Sequence, residues 1–212
     1  MKSKRDIRTA LRGSMTALVT PFRDGAIDWP AVDHLIDRQI DGGTDWLVPC
    51  GTTGESPTLS SHEHDQLLER VIDRASGRCY VLAGTGSNDT ADTLQKTKQA
   101  AKAGVDAAML VAPYYNRPSQ EGLYQHFAAV AEAVDLPIVG MGGVTSRDDV
   151  LDLMAAGASA VGLGTVLFSD PFAPRRIREE LENAGALFEV VSARGIHGFG
   201  HDSASRHVLS TD

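Results

Sequence analysis

Short apolar runs alternate along the chain with stretches in which apolar residues recur every three or four positions. Each short run has the length of one buried strand, and each periodic stretch has the spacing of a helix with one apolar face. Near-continuous apolar strands that alternate with helices indicate a parallel sheet with helices packed outside it. The predicted strands are residues 15–22, 46–49, 79–83, 107–112 and 159–165, and residues 137–143 are predicted to be a further strand together with the loop after it.

The spacing of these strands indicates the fold class. They begin about every 30 residues, which is the length of one βα unit. Six units are clear in the sequence, whereas a TIM-type barrel of eight units typically needs about 250 residues. We therefore predict an α/β protein with a parallel (β/α) TIM-type barrel that is incomplete or hybrid. Further on, Ile177 and Leu181 suggest one more helix, and residues 187–191 one more short strand.

The length of the chain, 212 residues, is enough for one good core, so a single domain is expected. We assign residues 1–14 to an N-terminal extension, 15–192 to the barrel-like domain and 193–212 to a C-terminal tail. In the tail, His197 and His201 are four residues apart, but the glycines between them oppose the helix that would make this spacing metal-like. No metal site is predicted.

Composition limits the partners and the compartment. An excess of 28 acidic over 20 basic residues gives a net charge of −8, which disfavours nucleic acid and anionic membranes as partners. No apolar run approaches the roughly 20 residues that span a bilayer, and the N-terminus lacks the apolar core of a secretory signal. Cys50 and Cys79 show no ligand spacing and are expected to be buried, reduced thiols. We expect a soluble, cytoplasmic protein.

The polar loop after the second predicted strand is the first candidate ligand site, because α/β proteins build such sites at the C-terminal ends of their strands. Gly51 and Gly54 let the backbone approach a ligand closely. Thr52 and Thr53 present hydroxyl and N–H donors side by side. This combination suits a small carboxylate, while an ordinary strand-to-helix turn rich in turn-forming residues fits the spacing equally well.

A helix is predicted directly behind this loop. Ser60 and Glu63 fit a capping box at its start, and apolar residues from Leu67 onward supply its buried stripe. His62 and His64 fall in the first turn of this helix, where we expect exposed polar side chains.

Four segments of the chain resemble the dihydrodipicolinate synthase and N-acetylneuraminate lyase family. They are Thr16-Ala-Leu-Val-Thr-Pro-Phe22, Gly51-Thr-Thr-Gly-Glu-Ser56, Gly84-Thr-Gly-Ser87 and Pro113-Tyr-Tyr-Asn-Arg-Pro-Ser-Gln-Glu-Gly-Leu-Tyr124. Any one of these segments is a weak signal, but together they are highly specific. The resemblance covers about residues 15–138 and is nearest to the dihydrodipicolinate synthase branch.

This resemblance implies a (β/α)₈ barrel lyase of lysine biosynthesis that needs no cofactor. Such an enzyme condenses pyruvate, held as a Schiff base on a lysine, with an aldehyde. By the resemblance, Thr53 would bind the pyruvate carboxylate and Thr52 would belong to a hydroxyl proton relay. Tyr115 would complete that relay in a neighbouring subunit, which implies a homo-oligomer. From the residues alone, Tyr114 and Tyr115 fit aromatic packing at a loop or subunit contact better.

The lysine-bearing strand of the family has no counterpart after residue 139. The lysines of the chain are Lys2, Lys4, Lys96, Lys98 and Lys102. The first two lie in the leading segment, and the others lie on the third predicted helix, where Lys98 and Lys102 form a solvated i, i+4 face. A Schiff-base lysine has to be desolvated to lose its proton near neutral pH. We therefore predict that none of the five lies at the mouth beside Thr52, and that the nucleophile is missing.

Residues 137–172 resemble instead the last two barrel units of dihydroorotate dehydrogenases, whose glycine pairs hold the phosphate of FMN. Gly142, Gly143, Gly164 and Thr165 would be the corresponding phosphate donors, at the strand ends where many barrels bind phosphate. On this basis residues 15–138 are dihydrodipicolinate synthase-like and residues 139–192 dihydroorotate dehydrogenase-like. The alternative functions are a phosphate- or FMN-binding barrel and a non-catalytic hybrid chain.

Overall fold

The computed structural model describes residues 11–184 and the backbone of residues 190–192. The predictions for the N-terminal extension before residue 11 and for His197 and His201 lie outside the described residues. Within the described part of the chain, no helix has both the length and the apolar character needed to cross a bilayer.

Strands and helices alternate along the chain. The strands are β1 (Met15–Ala17), β2 (Phe22–Arg23), β3 (Ala26–Ile27), β4 (Trp46–Val48), β5 (Tyr80–Gly84), β6 (Ala107–Val111), β7 (Ile138–Met141), β8 (Ala160–Leu163) and β9 (Val190–Ser192). The helices are α1 (Trp29–Asp41), α2 (Ser61–Ala75), α3 (Thr90–Ala103), α4 (Gln120–Ala133), α5 (Arg147–Ala155), α6 (Val166–Ser169) and α7 (Ala173–Asn183).

Seven strands form one parallel sheet in the order β1-β4-β5-β6-β7-β8-β9. Within this sheet each strand pairs with the next sheet strand along the chain, with β2 and β3 set apart, so the predicted parallel α/β fold is confirmed. Among the strands that the structure describes, β1 and β9 are the two edges, and the sheet is an incomplete barrel. The extra helix predicted from Ile177 and Leu181 is α7, in which both side chains are buried.

The prediction of one strand over residues 15–22 is wrong at its C-terminal end. Strand β1 ends at Ala17, and Phe22 belongs to a separate antiparallel hairpin of β2 and β3. Pro21 has no N–H to donate to a continued parallel ladder. Asp24 and Gly25 then turn the chain with positive φ angles of 52° and 80°, the backbone that a tight hairpin turn requires.

Alternating residues of the strands face opposite sides of the sheet. Trp46 and Leu82 belong to the inner cluster of buried side chains, whereas Leu47 and Val81 pack outward against the helices. Near the N-terminal end of the sheet the rings of Trp46 and Tyr80 stack, with centroids 4.7 Å apart. Two large aromatic side chains therefore fill this end of the inner face.

Helix α2 begins as the sequence predicts. The Ser60 hydroxyl accepts a hydrogen bond from the Glu63 N–H at 3.3 Å, and the Glu63 carboxylate accepts one from the Ser60 N–H at 2.9 Å. This reciprocal pair confirms the predicted capping box. It fixes the point at which the polar loop after β4 passes into the helix.

The prediction that His64 is exposed is wrong, although His62 is exposed as expected. His64 is buried with 1% of its surface accessible. It stands three and four residues before Leu67 and Leu68 and therefore shares their inward face of α2. Its Nε2 atom lies 3.2 Å from the carbonyl oxygen of Gly84, so the histidine links α2 to the C-terminal end of β5.

Candidate functional site

A small cavity of about 50 Å³, here called the strand-end cavity, opens at the C-terminal ends of β4, β5 and β6. Polar groups come from the loop after β4, from the loop after β5 and from helix α3, while side chains of β6 supply apolar walls. The polar members of its lining include Thr52, Ser56, Ser87 and Lys96. The cavity lies where parallel α/β folds place their ligands.

The loop after β4 is held in shape by hydrogen bonds within it and by one from a neighbouring segment. Thr52–Gly54 forms a short 3₁₀ turn in which the Gly54 N–H donates to the Gly51 carbonyl at 3.0 Å. The buried Thr20 hydroxyl donates to the Gly54 carbonyl at 2.7 Å. A Cβ atom on Gly54 would lie 3.0 Å from the Leu18 carbonyl oxygen. The loop therefore packs tightly against the segment that follows β1.

Two glycines allow the strand ends to approach each other beneath the cavity. A Cβ atom on Gly84 would lie 2.3 Å from the Cys50 carbonyl oxygen, and one on Gly86 would lie 2.6 Å from the Val111 nitrogen. Neither distance is compatible with any larger residue, since backbone atoms are the obstacle. Packing at this site therefore requires both glycines of the family-like segment Gly84-Thr-Gly-Ser87.

The structure brings together only some of the predicted site residues. Thr52 lines the strand-end cavity, whereas Thr53 is exposed beside it and does not contribute to the lining. Tyr115 is 95% exposed and adopts a left-handed backbone with φ of 69°. Its neighbour Tyr114 lines the cavity instead. The roles predicted for Thr52, Thr53 and Tyr115 stay predictions.

The prediction that no lysine lies beside Thr52 is wrong, because Lys96 lines the same cavity. Its side chain is only 19% exposed, and its Nζ atom lies 2.8 Å from a carboxylate oxygen of Asp92. Lys98 and Lys102 are exposed as predicted. Lys96 follows the buried Thr93 by three positions in α3 and so stands at the border of its buried face. The i, i+4 spacing from Asp92 was the sequence signal that could have indicated this lysine.

The charges beside the cavity have defined partners. Burial works to raise the pKa of Asp92, but hydrogen bonds from Lys96 and Ser87 outweigh it and hold that pKa below its ordinary value. Asp92 is therefore a carboxylate at neutral pH.

Burial raises the pKa of the Cys50 thiol to about 12, and the nearby charge of Asp65 adds to the effect. Cys50 is a buried thiol outside any disulfide, as predicted, and its raised pKa leaves very little reactive thiolate at neutral pH.

The predicted phosphate donors do not form one site. Gly142 and Gly143 line a separate groove of about 280 Å³ between α4 and α5, and neither Gly164 nor Thr165 contributes to that groove. Backbone geometry accounts for the glycine pair, since their φ angles are 113° and 73°. A Cβ atom on Gly142 would also lie 2.7 Å from the Cβ of Ala112.

The electrostatics of this groove oppose a phosphate. Three carboxylates, those of Glu121, Asp149 and Asp152, contribute to its lining. The Asp149 carboxylate already accepts the N–H groups of Thr145 and Ser146, both at 2.9 Å. The donors at the start of α5 are therefore occupied by the chain's own anion, and an external phosphate would meet negative charge.

The parallel sheet, its outer helices and a polar cavity at the strand ends define a protein of the (β/α)-barrel class. Within that class, the sequence model of the dihydrodipicolinate synthetase family matches residues 10–141, and the chain belongs to this family. A dihydroorotate dehydrogenase model matches residues 123–184, which corresponds to the second resemblance seen in the sequence.

Curated relatives bear the name 4-hydroxy-tetrahydrodipicolinate synthase. The protein of Syntrophus aciditrophicus is 56% identical over 128 residues, which are 60% of this chain and 44% of the relative. The protein of Pelobacter propionicus is 44% identical over 186 residues, covering 85% of this chain and 63% of the relative. The chain thus spans about half to three fifths of the length of these relatives.

Solved structures agree with this assignment. Dihydrodipicolinate synthase from Aquifex aeolicus superposes with a TM-score of 0.75 at 40% identity, over 86% of this chain and 63% of that protein. The chloride-inhibited dihydrodipicolinate synthase from Acinetobacter baumannii, complexed with pyruvate, gives a TM-score of 0.76 at 38% identity with the same coverage. The chain therefore has the fold of these enzymes over the part of the barrel that it contains.

Proposed function

We propose that this chain binds pyruvate, or a keto acid of the same size, in the strand-end cavity. In this proposal it supplies the keto-acid site of a lyase of the 4-hydroxy-tetrahydrodipicolinate synthase type, in lysine biosynthesis. The observation that carries the proposal is the position of Thr52, whose loop belongs to the family match and which lines a polar cavity at the strand ends. One relative with the same fold has been solved in complex with pyruvate.

The chemistry of the cavity suits a small carboxylate with a carbonyl group. Thr52, Ser56 and Ser87 offer hydroxyl donors, and Lys96 offers a positive charge. One water needs roughly 10–15 Å³ of such volume, so a cavity of about 50 Å³ admits a ligand of a few non-hydrogen atoms. No cofactor is part of this proposal, because a keto acid carries its own electrophilic carbonyl carbon.

Titration calorimetry with pyruvate tests the proposal. We expect the intact chain to bind pyruvate and the Thr52→Val variant to bind it roughly ten- to a hundredfold more weakly, since one hydrogen bond to a charged group contributes about 1.5–3 kcal/mol. Thr165→Val is the matched control: it removes an exposed hydroxyl that lies outside the cavity lining and should leave the affinity unchanged. An intact chain without measurable affinity for pyruvate would refute the proposal.

We also propose that the chain works as a homo-oligomer in which Tyr115 contacts a neighbouring subunit. Tyr115 is 95% exposed, and its left-handed φ of 69° is rare for a bulky residue. Contacts within one subunit therefore cover almost none of this aromatic side chain. A subunit contact would bury that side chain.

A phosphate- or FMN-binding barrel is the second reading, and the match of residues 123–184 to dihydroorotate dehydrogenase is the observation that favours it. This reading is less favoured than the keto-acid site, because the carboxylates around Gly142 and Gly143 would repel a phosphate. The two family matches overlap over residues 123–141, which include β7. A hybrid chain divided near residue 138 fits this overlap, and that division stays a prediction.

A further inference from the structure

We propose that His126 is a pH-sensitive latch beside the strand-end cavity: its neutral imidazole holds the first turn of helix α3 against α4, and protonation of the ring releases that turn. The inference does not depend on which ligand the cavity takes. It concerns the α3 side of the cavity, which Ser87 and Lys96 line.

His126 is buried where helices α3 and α4 pack together. Only 2% of its surface is accessible, and its ring meets that of Phe127 edge to face with centroids 5.5 Å apart. Its Nδ1 atom lies 2.9 Å from the hydroxyl oxygen of Thr90, the first residue of α3. This hydrogen bond therefore ties the start of α3 to the middle of α4.

The surroundings of the ring favour its neutral form. The Nε2 atom of His126 is buried and has no hydrogen-bond partner among the described residues. Protonation would place an N–H group and a positive charge there, and a buried N–H without an acceptor is costly. Burial accordingly holds the pKa of His126 below its ordinary value, and the charge of Asp89 opposes this with a smaller effect.

The charged groups of this part of α3 offer little compensation for a buried imidazolium. Asp89 is exposed, and its side chain already accepts the Asp92 N–H at 2.8 Å as the cap of the helix. Asp92 and Lys96 pair with each other at 2.8 Å. On α4 the ring packs against Phe127, which carries no charge. A protonated His126 would therefore have to leave its place between the two helices to reach water.

Hydrogen bonds connect the latch to the cavity. In the segment directly before α3, the Ser87 N–H donates to the Thr93 hydroxyl at 3.0 Å, and the Asp89 N–H donates to the Ser87 hydroxyl at 3.3 Å. The Asn88 carbonyl accepts a hydrogen bond from Nδ2 of Asn116 at 2.8 Å. Release of the first turn of α3 would therefore loosen the cavity wall at Ser87.

Hydrogen exchange of the full chain, followed by mass spectrometry, tests the latch. Exchange in peptides that cover residues 87–93 is compared at about pH 7.5 and about pH 5.5, after correction for the intrinsic exchange rate. Because a free imidazole has a pKa of about 6.5, an opening that exposes His126 should become up to about tenfold more populated over this range.

A conservative variant separates titration from packing. His126→Asn keeps a polar atom near the position of Nδ1 but cannot take up a proton, so it should lose the rise in exchange at acid pH. His34→Asn, at an exposed position on α1, is the matched control and should keep the rise. A rise that persists in His126→Asn would assign the pH effect to another group and overturn the inference.

Two further measurements decide the question even if His126→Asn does not fold. An NMR titration of the wild-type chain should give His126 a pKa below about 6.5, and a value at or above it would overturn the inference. Thr90→Val removes the partner of the ring at an exposed position. It should raise exchange of the same peptides already at about pH 7.5, and unchanged exchange in this variant would show that the contact holds nothing.

Discussion

Thr20 holds the loop that carries Thr52 against the rest of the sheet. Its hydroxyl is buried and donates to the Gly54 carbonyl at 2.7 Å. Thr20→Val keeps the shape of the side chain but leaves that buried carbonyl without its donor. We expect the free energy of unfolding to fall by about 1–3 kcal/mol, as measured by urea denaturation.

Thr58→Val is the matched control for this measurement. The Thr58 hydroxyl also donates to a backbone carbonyl, that of Glu55 at 2.9 Å, but it is exposed, so water can replace it. We expect a change within about 0.5 kcal/mol. Equal losses of unfolding free energy in both variants would show that burial does not make the Thr20 hydrogen bond more stabilising than the exposed one of Thr58.

At the scale of residues, sequence indicated the loop but not all members of the site. The glycines and threonines after β4 predict a ligand loop because their special backbone and hydroxyl chemistry is local. The position of Lys96 depends on how α3 packs against the loops after β4 and β5, which one periodic pattern does not reveal. The burial of His64, by contrast, could have been predicted. Its spacing from Leu67 already placed it on the inward face of α2, but it was assigned to the exposed face because it is polar.

Helix α5 depends on one carboxylate at its start. Burial works to raise the pKa of Asp149, but the Thr145 N–H and the hydroxyls of Ser146 and Thr145 outweigh it and lower that pKa below its ordinary value. A carboxyl group with a lowered pKa in the folded state stabilises the protein above its unfolded pKa of about 3.9, and this stabilisation is lost as the pH falls through the folded value.

We therefore expect Asp149→Asn to be less stable than the wild type at neutral pH, by about 1–2 kcal/mol, because charge-assisted hydrogen bonds are lost. The difference should shrink as the pH falls below about 4, where the carboxyl group of the unfolded chain takes up a proton, and should vanish once the pH has passed the lowered pKa of the folded state. Urea midpoints of both proteins at several pH values measure this. A gap that is constant over the whole pH range would contradict the assigned role of the charge.

At the scale of elements, apolar periodicity predicted the strands and helices of the sheet but not every boundary. The run from Met15 to Phe22 looks like one strand because its residues favour extended backbone. Pro21 and the Asp24–Gly25 turn divert its second half into the hairpin of β2 and β3. The capping box of Ser60 and Glu63, by contrast, is a purely local device and was predicted correctly.

The whole molecule is a parallel sheet whose described edges are β1 and β9. Regular alternation of strands and helices was enough to predict this sheet, because right-handed βα units place successive strands side by side. Which strands form the edges of the sheet depends on contacts between residues that are distant in sequence, so no local pattern predicts it. Association of subunits depends on such long-range contacts as well.

We expect Tyr115→Ser to weaken self-association by roughly tenfold, since a tyrosine at the centre of an interface commonly contributes 1–2 kcal/mol or more. The tyrosine is 95% exposed, so the fold of one subunit should not change. Sedimentation velocity over a range of concentrations measures the effect. Phe168→Ser, at a position that is 92% exposed in the short helix α6, is the control. An equal loss in the control would point to general apolar association, and no loss in Tyr115→Ser would refute the contact.

The buried thiol of Cys50 gives the protein a built-in reporter. Cys50 belongs to the cavity lining, and its sulfur is buried beside the His64 carbonyl. Its raised pKa keeps it in a form that alkylating reagents hardly attack, because the thiolate is the reactive species. Labelling of this sulfur would therefore report openings of the structure around it. An occupant of the cavity would lengthen the interval between those openings, so ligands can be recognised by slower alkylation without any assay of turnover.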